Sequence, residues 1–315
     1  MRLALFTDSV SERSFEGALD FAQELGIDAV EIAAGGQSPA PHLDLDEVLA
    51  DGAALERFRN ALDTRGIELT ALNCSAWPLH PVHDEAHRTL IQNTIELAGR
   101  LGVRTIVSMS GCGGDAPDDT AVNWVWYPWP PEAVSLLERQ WRAAIPMWEE
   151  LAAHAERHGV DRIALELHPL HLSYNVPTLL RLRDAVGPII GANVDPSHMF
   201  WQQMDPVAVV DALGDAVYHV HLKDSEVVRD QAALTGVLDN RPFADPKSRA
   251  WVFRTVGRAH DESFWSAFFS ALTRVGYEGS LSIENEDVEQ PQEAGVREAA
   301  SFARRLIESP LQARA

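Results

Sequence analysis

RIALELHPLHLSYNVPTLLRLRDAVGPIIGANVD, residues 162–195, decides the fold. RIALELH (162–168) is a short apolar run ending in an acid and an imidazole. A stretch near 177–187 carries apolar residues at helical spacing and predicts a helix. IIGANVD (189–195) is a second short apolar run, again ending in an acid. Strand, helix, strand in this order implies two parallel strands joined by a right-handed crossover.

The same unit recurs in both directions. Strands are expected at 2–7, 28–34, 67–74, 104–111, 216–224 and 279–287, with helices at 14–26, 53–66, 83–102, 132–159, 205–214, 261–276 and 291–308. Gly26, Gly66, Gly102 and Gly159 follow the helical patterns as stop signals. Eight strand–helix units in a chain of 315 residues suit a single (β/α)8 TIM barrel, one domain over 1–315, better than an open doubly wound sheet. Two segments, 111–131 and 225–260, are too long to be plain connectors. Both follow strand C-termini, where barrel sites are built, and are expected to be lids or binding loops at the C-terminal face.

Composition narrows the function. Hydrophobic residues make up 46% and charged residues 23%, as in a soluble globular protein with a large core. The formal net charge is −21, and Lys223 and Lys247 are the only lysines among 26 Lys and Arg. Such a chain repels phosphate backbones, so no nucleic-acid partner is expected. No apolar run is long enough to span a bilayer, and MRLALFTDS enters a strand directly without secretory features. Two cysteines, Cys74 and Cys112, form no disulfide framework, so a reducing, cytoplasmic compartment is expected.

The last four strands end in chemistry. Strand five supplies Glu166 and His168; strand six supplies Asp195 and, three residues on, His198. Strand seven supplies His219, His221, Lys223 and Asp224, and strand eight Glu284, Glu286 and Asp287. His219 and His221 are read as facing opposite sides of their strand, one of them toward the barrel interior. Any one residue has a plain alternative: Glu166 a salt-bridged core acid, Asp195 the cap of a turn, Phe200 and Trp201 ordinary packing. Acids and imidazoles at four successive strand ends are harder to explain as packing, because a buried carboxylate is costly unless it is paired or binds a cation. A shared divalent site follows. Oxygen-rich donors with one imidazole lean to Mn²⁺ or Mg²⁺, with Co²⁺ and Zn²⁺ compatible. Three acids and a neutral His leave such a site at net −1, suited to a neutral polyol or ketose.

GANVDPSHMFWQQMDP (191–206), with VYHVHLKD (217–224), RAWVFRTVG (249–257) and SLSIENED (280–287), resembles the sugar phosphate isomerase/epimerase family of the xylose-isomerase-like TIM-barrel superfamily. The resemblance runs from FEGALDFAQELGIDAVEI (15–32) to the final helix. It implies one divalent metal held by Glu166, Asp195, His221 and Glu284. It also implies that Glu166 and Glu284 move protons and that His198 contacts substrate. Related ketose epimerases carry an Arg six residues beyond the metal-bound His. Here that position is Val227, with Arg229 two residues further on, so Arg229, Arg249 or Arg254 of the long loop is expected to supply the contact. His168, Lys223 and Trp124 complete the expected substrate contacts.

Such a site acidifies a C–H beside a carbonyl and gives an enediolate. Its return of a proton yields an epimer or an isomer; loss of a β-leaving group yields elimination, as in the dehydratases and lyases of keto-inositols and keto-glucosides in the same superfamily. Isomerase/epimerase is the leading reading and lyase/dehydratase the alternative. Glu31, Asn73, Trp77, His80 and Trp126 are weaker candidates near the early strands. GCGGD (111–115) lacks the Lys-Ser/Thr of a P-loop. The superfamily's DNA-repair endonuclease activity is disfavoured by the charge. Trp124, Trp126, Tyr127 and Trp129 make segment 111–131 a lid or an interface, so a homo-oligomer or a partner subunit is expected.

Overall fold

The computed structural model describes residues 1–116 and 118–308. Pro117 of the long 111–131 segment and the end of the expected 1–315 domain lie outside the described residues. In chain order the elements are β1 (Arg2–Phe6), α1 (Phe15–Glu24), β2 (Ala29–Ala33), α2 (Leu45–Ala50), α3 (Gly52–Asp63), β3 (Glu68–Asn73), α4 (Asp84–Leu101), β4 (Thr105–Ser108), α5 (Pro131–Arg157), β5 (Arg162–Glu166), α6 (Val176–Val186), β6 (Ile190–Val194), α7 (Ser197–Phe200), α8 (Pro206–Leu213), β7 (Val217–Leu222), β8 (Asp224–Val227), α9 (Arg229–Thr235), β9 (Trp251–Arg254), α10 (Glu262–Arg274), β10 (Ser280–Ile283) and α11 (Gln292–Ile307). Eight strands close in the order β1-β10-β7-β6-β5-β4-β3-β2, the (β/α)8 TIM barrel.

The chain divides into two compact units, Met1–Val30 with Val194–Ala315, and Glu31–Asn193. In the first, β1 pairs in parallel with β10, and β10 with β7, in a register that sets Ser282 beside His221. In the second, β3, β4, β5 and β6 pair in parallel, with Glu166 beside Asn193. Side chains of these strands are buried on both faces, which is why the runs read as continuously apolar rather than alternating.

Local chemistry sets the helix ends. Ser14, Asp44, Asp51, Asp205 and Asp261 each accept a backbone N–H in the first turn of the helix they precede. Asn175 and Thr178 form a reciprocal box at the start of α6. Gly102 ends α4 in the left-handed region at φ 74°. Gly36, at φ 87°, lies so near the Cys74 carbonyl that a Cβ would sit 2.3 Å from its oxygen.

The strands are shorter than their apolar runs. The fifth ends at Glu166 rather than His168, where the His168 N–H turns back to the Glu166 carbonyl at 2.8 Å. The seventh ends at Leu222, and Asp224 opens a second sheet instead of finishing the first. Segment 225–260 was expected to be a loop; it contains the antiparallel hairpin β8–β9, with Asp224 opposite Arg254, and the helix α9. Its core is Trp201, Ala250 and Trp251 with Val227, Ala232, Val237 and Phe253. Trp201 and Trp251 stack at 4.9 Å, only 2° from parallel. Strands of four residues each, separated by a stretch with Pro242 and Pro246 and lacking a barrel partner, give no period strong enough to mark them.

Asp239 closes the connection between the hairpin strands. It accepts from Arg241 at 2.8 Å and from the Ala250 N–H at 2.6 Å. The Arg241 guanidinium holds its carboxyl well below the usual carboxylate range, against the opposing effect of burial. A carboxyl depressed in the folded state stabilises above its unfolded value, and that contribution is lost as pH falls. Below pH ~4, Trp251 fluorescence is expected to report loosening of this segment, and Asp239→Asn to show the same signal at neutral pH.

Cys74 and Cys112 are free and buried. Burial pushes the thiols up to about 11 and about 12 respectively. Neither is expected to react with a maleimide at neutral pH until denaturant is added, since the thiolate is the reacting species.

Candidate metal and substrate site

In the first unit, β6 delivers Asp195 into a tight turn. Asp195 Oδ1 accepts from the Ser197 N–H at 2.8 Å, so one oxygen caps α7. Oδ2 faces the other way, 3.3 Å from His198 Nε2 and 3.9 Å from Lys223 Nζ. The turn-cap reading and the ligand reading of Asp195 therefore describe its two oxygens.

β7 delivers His221 and Lys223, and β10 delivers Glu284, whose N–H extends the ladder to the Leu222 carbonyl at 3.2 Å. His221 is fully buried, with Nδ1 2.8 Å from Glu284 Oε2. The imidazole and the carboxylate form a close polar contact, and His221 helps to hold the Glu284 carboxyl in its charged form. A nitrogen and a carboxylate oxygen at this separation can also serve as neighbouring donors to one cation.

Lys223 is buried at the centre of an acidic group. Its ammonium lies 3.4 Å from Glu284 Oε1 and contacts Glu286. Burial opposes ionisation of Glu284, but Lys223 and then His221 outweigh it and hold its carboxyl below the usual range. Burial, reinforced by the Lys223 charge, pushes His198 well below the ordinary imidazole value, so it is neutral at physiological pH. Buried Asp195 and half-buried Glu284, with exposed Glu286 at the edge, leave an excess of negative charge over the one ammonium, which fits an added cation. Among the described residues, buried Glu and His groups of this chain could hold a metal ion.

Asp224, next to Lys223, has a structural task. Its buried carboxylate accepts from the N–H groups of Ser225, Gly257, Ala259 and His260 at 2.9–3.2 Å, and lies 2.7 Å from His260 Nδ1. The His260 ring stacks on Phe200 at 3.6 Å.

The expectation for His219 and His221 is overturned. Both are buried on the same side of β7, with ring centroids 5.5 Å apart. Residues two apart on a strand share a face, because the side-chain period is two.

The expected arginines divide differently. Arg254 is spread over Glu226 at 2.9 Å, Glu289 at 2.7 Å and Asp287 at 3.6 Å. Arg249 is buried under Phe243 and Trp251 and donates to the Trp251 carbonyl, so it braces the hairpin. Arg229 is exposed at the start of α9.

In the second unit, Glu166 is buried at the end of β5 and His168 is half-buried just beyond it. His168 and His171 meet edge to face at 5.5 Å, and Trp77 lies 4.2 Å from His171. Trp124 donates to the His171 carbonyl at 3.1 Å and packs on Tyr174. Asn73 donates to the buried Glu31 carboxylate at 2.8 Å. Trp126, Tyr127 and Trp129 are exposed. Sequence reasoning missed Phe253, whose ring lies 4.3 Å from Lys223 Nζ and 5.7 Å from the His198 ring. The motif RAWVFRTVG held it, but nothing local marks one aromatic of several as turned toward the site.

The comparisons agree with the barrel fold. Residues 19–306 match the family described as xylose isomerase-like TIM barrel. The chain is 44% identical over 311 residues to the uncharacterized protein YfiH of Bacillus subtilis (strain 168), covering 98% of this chain and 99% of that one. Among solved structures it resembles the probable 3-DHS dehydratase AsbF involved in petrobactin synthesis from Bacillus anthracis, with a TM-score of 0.68 at 16% identity over 96% of this chain and 98% of that one. It also resembles D-psicose 3-epimerase with D-tagatose from Clostridium cellulolyticum H10, with a TM-score of 0.64 at 16% identity over 98% of this chain and 100% of that one. At these identities the structural likenesses show a common fold. By the family match and the relationship to YfiH, the chain belongs to the xylose isomerase-like TIM barrel family.

Proposed function

We propose that the chain is a divalent-metal-dependent isomerase or epimerase of a keto sugar or related polyol, working as a single domain through an enediolate. The observation that carries the reading is the convergence of His221 Nδ1 and Glu284 Oε2 at 2.8 Å beside the second oxygen of Asp195. In this proposal Glu166 joins Asp195, His221 and Glu284 as the ligands of one metal, Mn²⁺, with Mg²⁺, Co²⁺ or Zn²⁺ as substitutes. When bound, such a cation supplies Lewis acidity toward a carbonyl and its neighbouring hydroxyl.

The chain's own groups do the rest. Glu166 and Glu284 take and return the proton on carbon. Neutral His198 offers a hydrogen bond to a substrate hydroxyl, and His168, Arg229, Arg254 and Trp124 are proposed contacts to the remainder of the carbohydrate. The proposed setting is a reducing, cytoplasmic compartment, and no described helix is long and apolar enough to cross a membrane. Trp126, Tyr127 and Trp129, exposed on one segment, are proposed to be covered in a homo-oligomer or by a partner subunit, which solution mass will show.

One observation supports elimination as a second reading. The Lys223 ammonium lies 3.4 Å from Glu284 Oε1, where a β-leaving hydroxide would need a nearby cation. The test is solvent-deuterium uptake into ketoses, aldoses, keto-inositols and 3-keto-glycosides, with Mn²⁺ added to metal-stripped protein. Metal-dependent uptake with an epimer or isomer as product supports the leading reading. Uptake with loss of water or an aglycone supports elimination. No uptake across the panel, by protein holding one metal per chain, overturns both.

A further inference from the structure

We propose that Phe253 is a positioning residue of this site: its ring, carried on β9, fixes the Lys223 ammonium and the His198 imidazole, and makes the β8–β9 hairpin part of the catalytic apparatus. This rests on the proposed function for the reaction it serves, but the contact itself is independent of any substrate.

The ring lies where two residues with a role in the site meet. Lys223 Nζ is 4.3 Å from its centroid, within cation–π range, and His198 meets it edge to face at 5.7 Å. Behind it the ring is backed by aromatics. Phe243 lies parallel at 5.7 Å, Trp251 packs edge-on at 5.3 Å, and Trp251 stacks on Trp201. Trp201 immediately follows α7, the helix that carries His198. Ser225 of β8 donates to the Ser197 carbonyl at 2.7 Å. The hairpin is thus pinned to the turn that presents Asp195 and His198, and Phe253 completes the circuit to β7.

The need for such a residue follows from the charges. Lys223 has a flexible stem and three carboxylates within reach, Glu286, Glu284 and Asp195. Two of the three are proposed metal ligands. An ammonium free to settle fully on them would compete with the metal. A ring face on one side, with Glu286 drawing from another, limits how far the ammonium settles onto Glu284 and Asp195, from which it stands 3.4 and 3.9 Å.

The chain's two lysines make the test direct. With 13C-ε-labelled lysine, the whole protein gives two side-chain signals, from Lys223 and Lys247. In the wild type the Lys223 signal is expected to show an aromatic ring-current shift and to broaden when Mn²⁺ is added, while Lys247 shows neither. Phe253→Leu should abolish the ring shift, change the Mn²⁺ broadening of Lys223, and lower kcat/KM for deuterium exchange about tenfold. Phe253→Tyr, which keeps the ring, should retain the shift and stay within about twofold of wild type. The proposal is overturned if Lys223 shows no ring shift in the wild type, or if Phe253→Leu loses the shift with broadening and kcat/KM both unchanged. Absence of Mn²⁺ broadening in the wild type, with the ring shift present, would instead count against the metal site. If Phe253→Leu fails to fold, the wild-type and Phe253→Tyr spectra still decide whether the contact exists.

Discussion

Glu284→Gln is expected to reduce metal-dependent hydrogen exchange about a thousandfold while leaving the fold intact. Gln is nearly isosteric, so the packing at the end of β10 and the backbone link to Leu222 survive. What is lost is charge. The carboxylate is held ionised by Lys223 and His221 in a buried setting, and an amide there can neither carry a proton off carbon nor balance a cation. The same substitution leaves Lys223 with one fewer counter-ion. The change should appear chiefly in kcat, with a weakened Mn²⁺ affinity measured separately. A Glu284→Gln protein that exchanges at the wild-type rate with one metal bound would remove Glu284 from the mechanism.

Asp224→Ala is expected to cost about 3–5 kcal/mol of stability, the largest effect of any substitution outside the proposed ligand set. Asp224 is fully buried, and its carboxylate gathers the Ser225, Gly257, Ala259 and His260 N–H groups and the His260 ring. Alanine leaves four backbone donors facing a void, each carrying its desolvation cost. Urea unfolding followed by far-UV circular dichroism measures the loss. Because these donors hold the segment from β9 into α10, the hairpin should also become more sensitive to protease. A loss below about 1 kcal/mol would mean that water satisfies the donors and that the carboxylate is not the anchor of this segment.

Much of this architecture is legible in the sequence, for a definite physical reason. Parallel barrel strands are buried on both faces, so runs such as IIGANVD stand out as apolar blocks between amphipathic helices. The helix ends are equally plain, since Gly102 and the Asx residues before the helices act locally. Glu166, Asp195, His221 and Glu284 are conspicuous because acids and an imidazole interrupt apolar strand ends. The hairpin β8–β9 is not legible. Its strands have four residues each, and its core depends on Trp201, which belongs to another part of the chain. Nor are the fates of the charged groups. Lys223, Arg249 and Arg254 look alike as candidate substrate cations. The structure shows that Lys223 is sunk among carboxylates, Arg249 is stacked between aromatics and Arg254 is matched by three acids. Those outcomes depend on which side chains meet in three dimensions. The assignment of His219 and His221 was an error of a different kind, since the period of a strand already requires a common face.

In the proposed function Asp195 and His221 are ligands of one divalent cation. Titration of metal-stripped protein with Mn²⁺, followed by electron paramagnetic resonance of the free ion, tests it most directly. One tight site per chain is expected, abolished by His221→Asn and by Asp195→Asn and left intact by Arg229→Ala. No tight site in folded protein, or a site that survives both ligand substitutions unchanged, would contradict it.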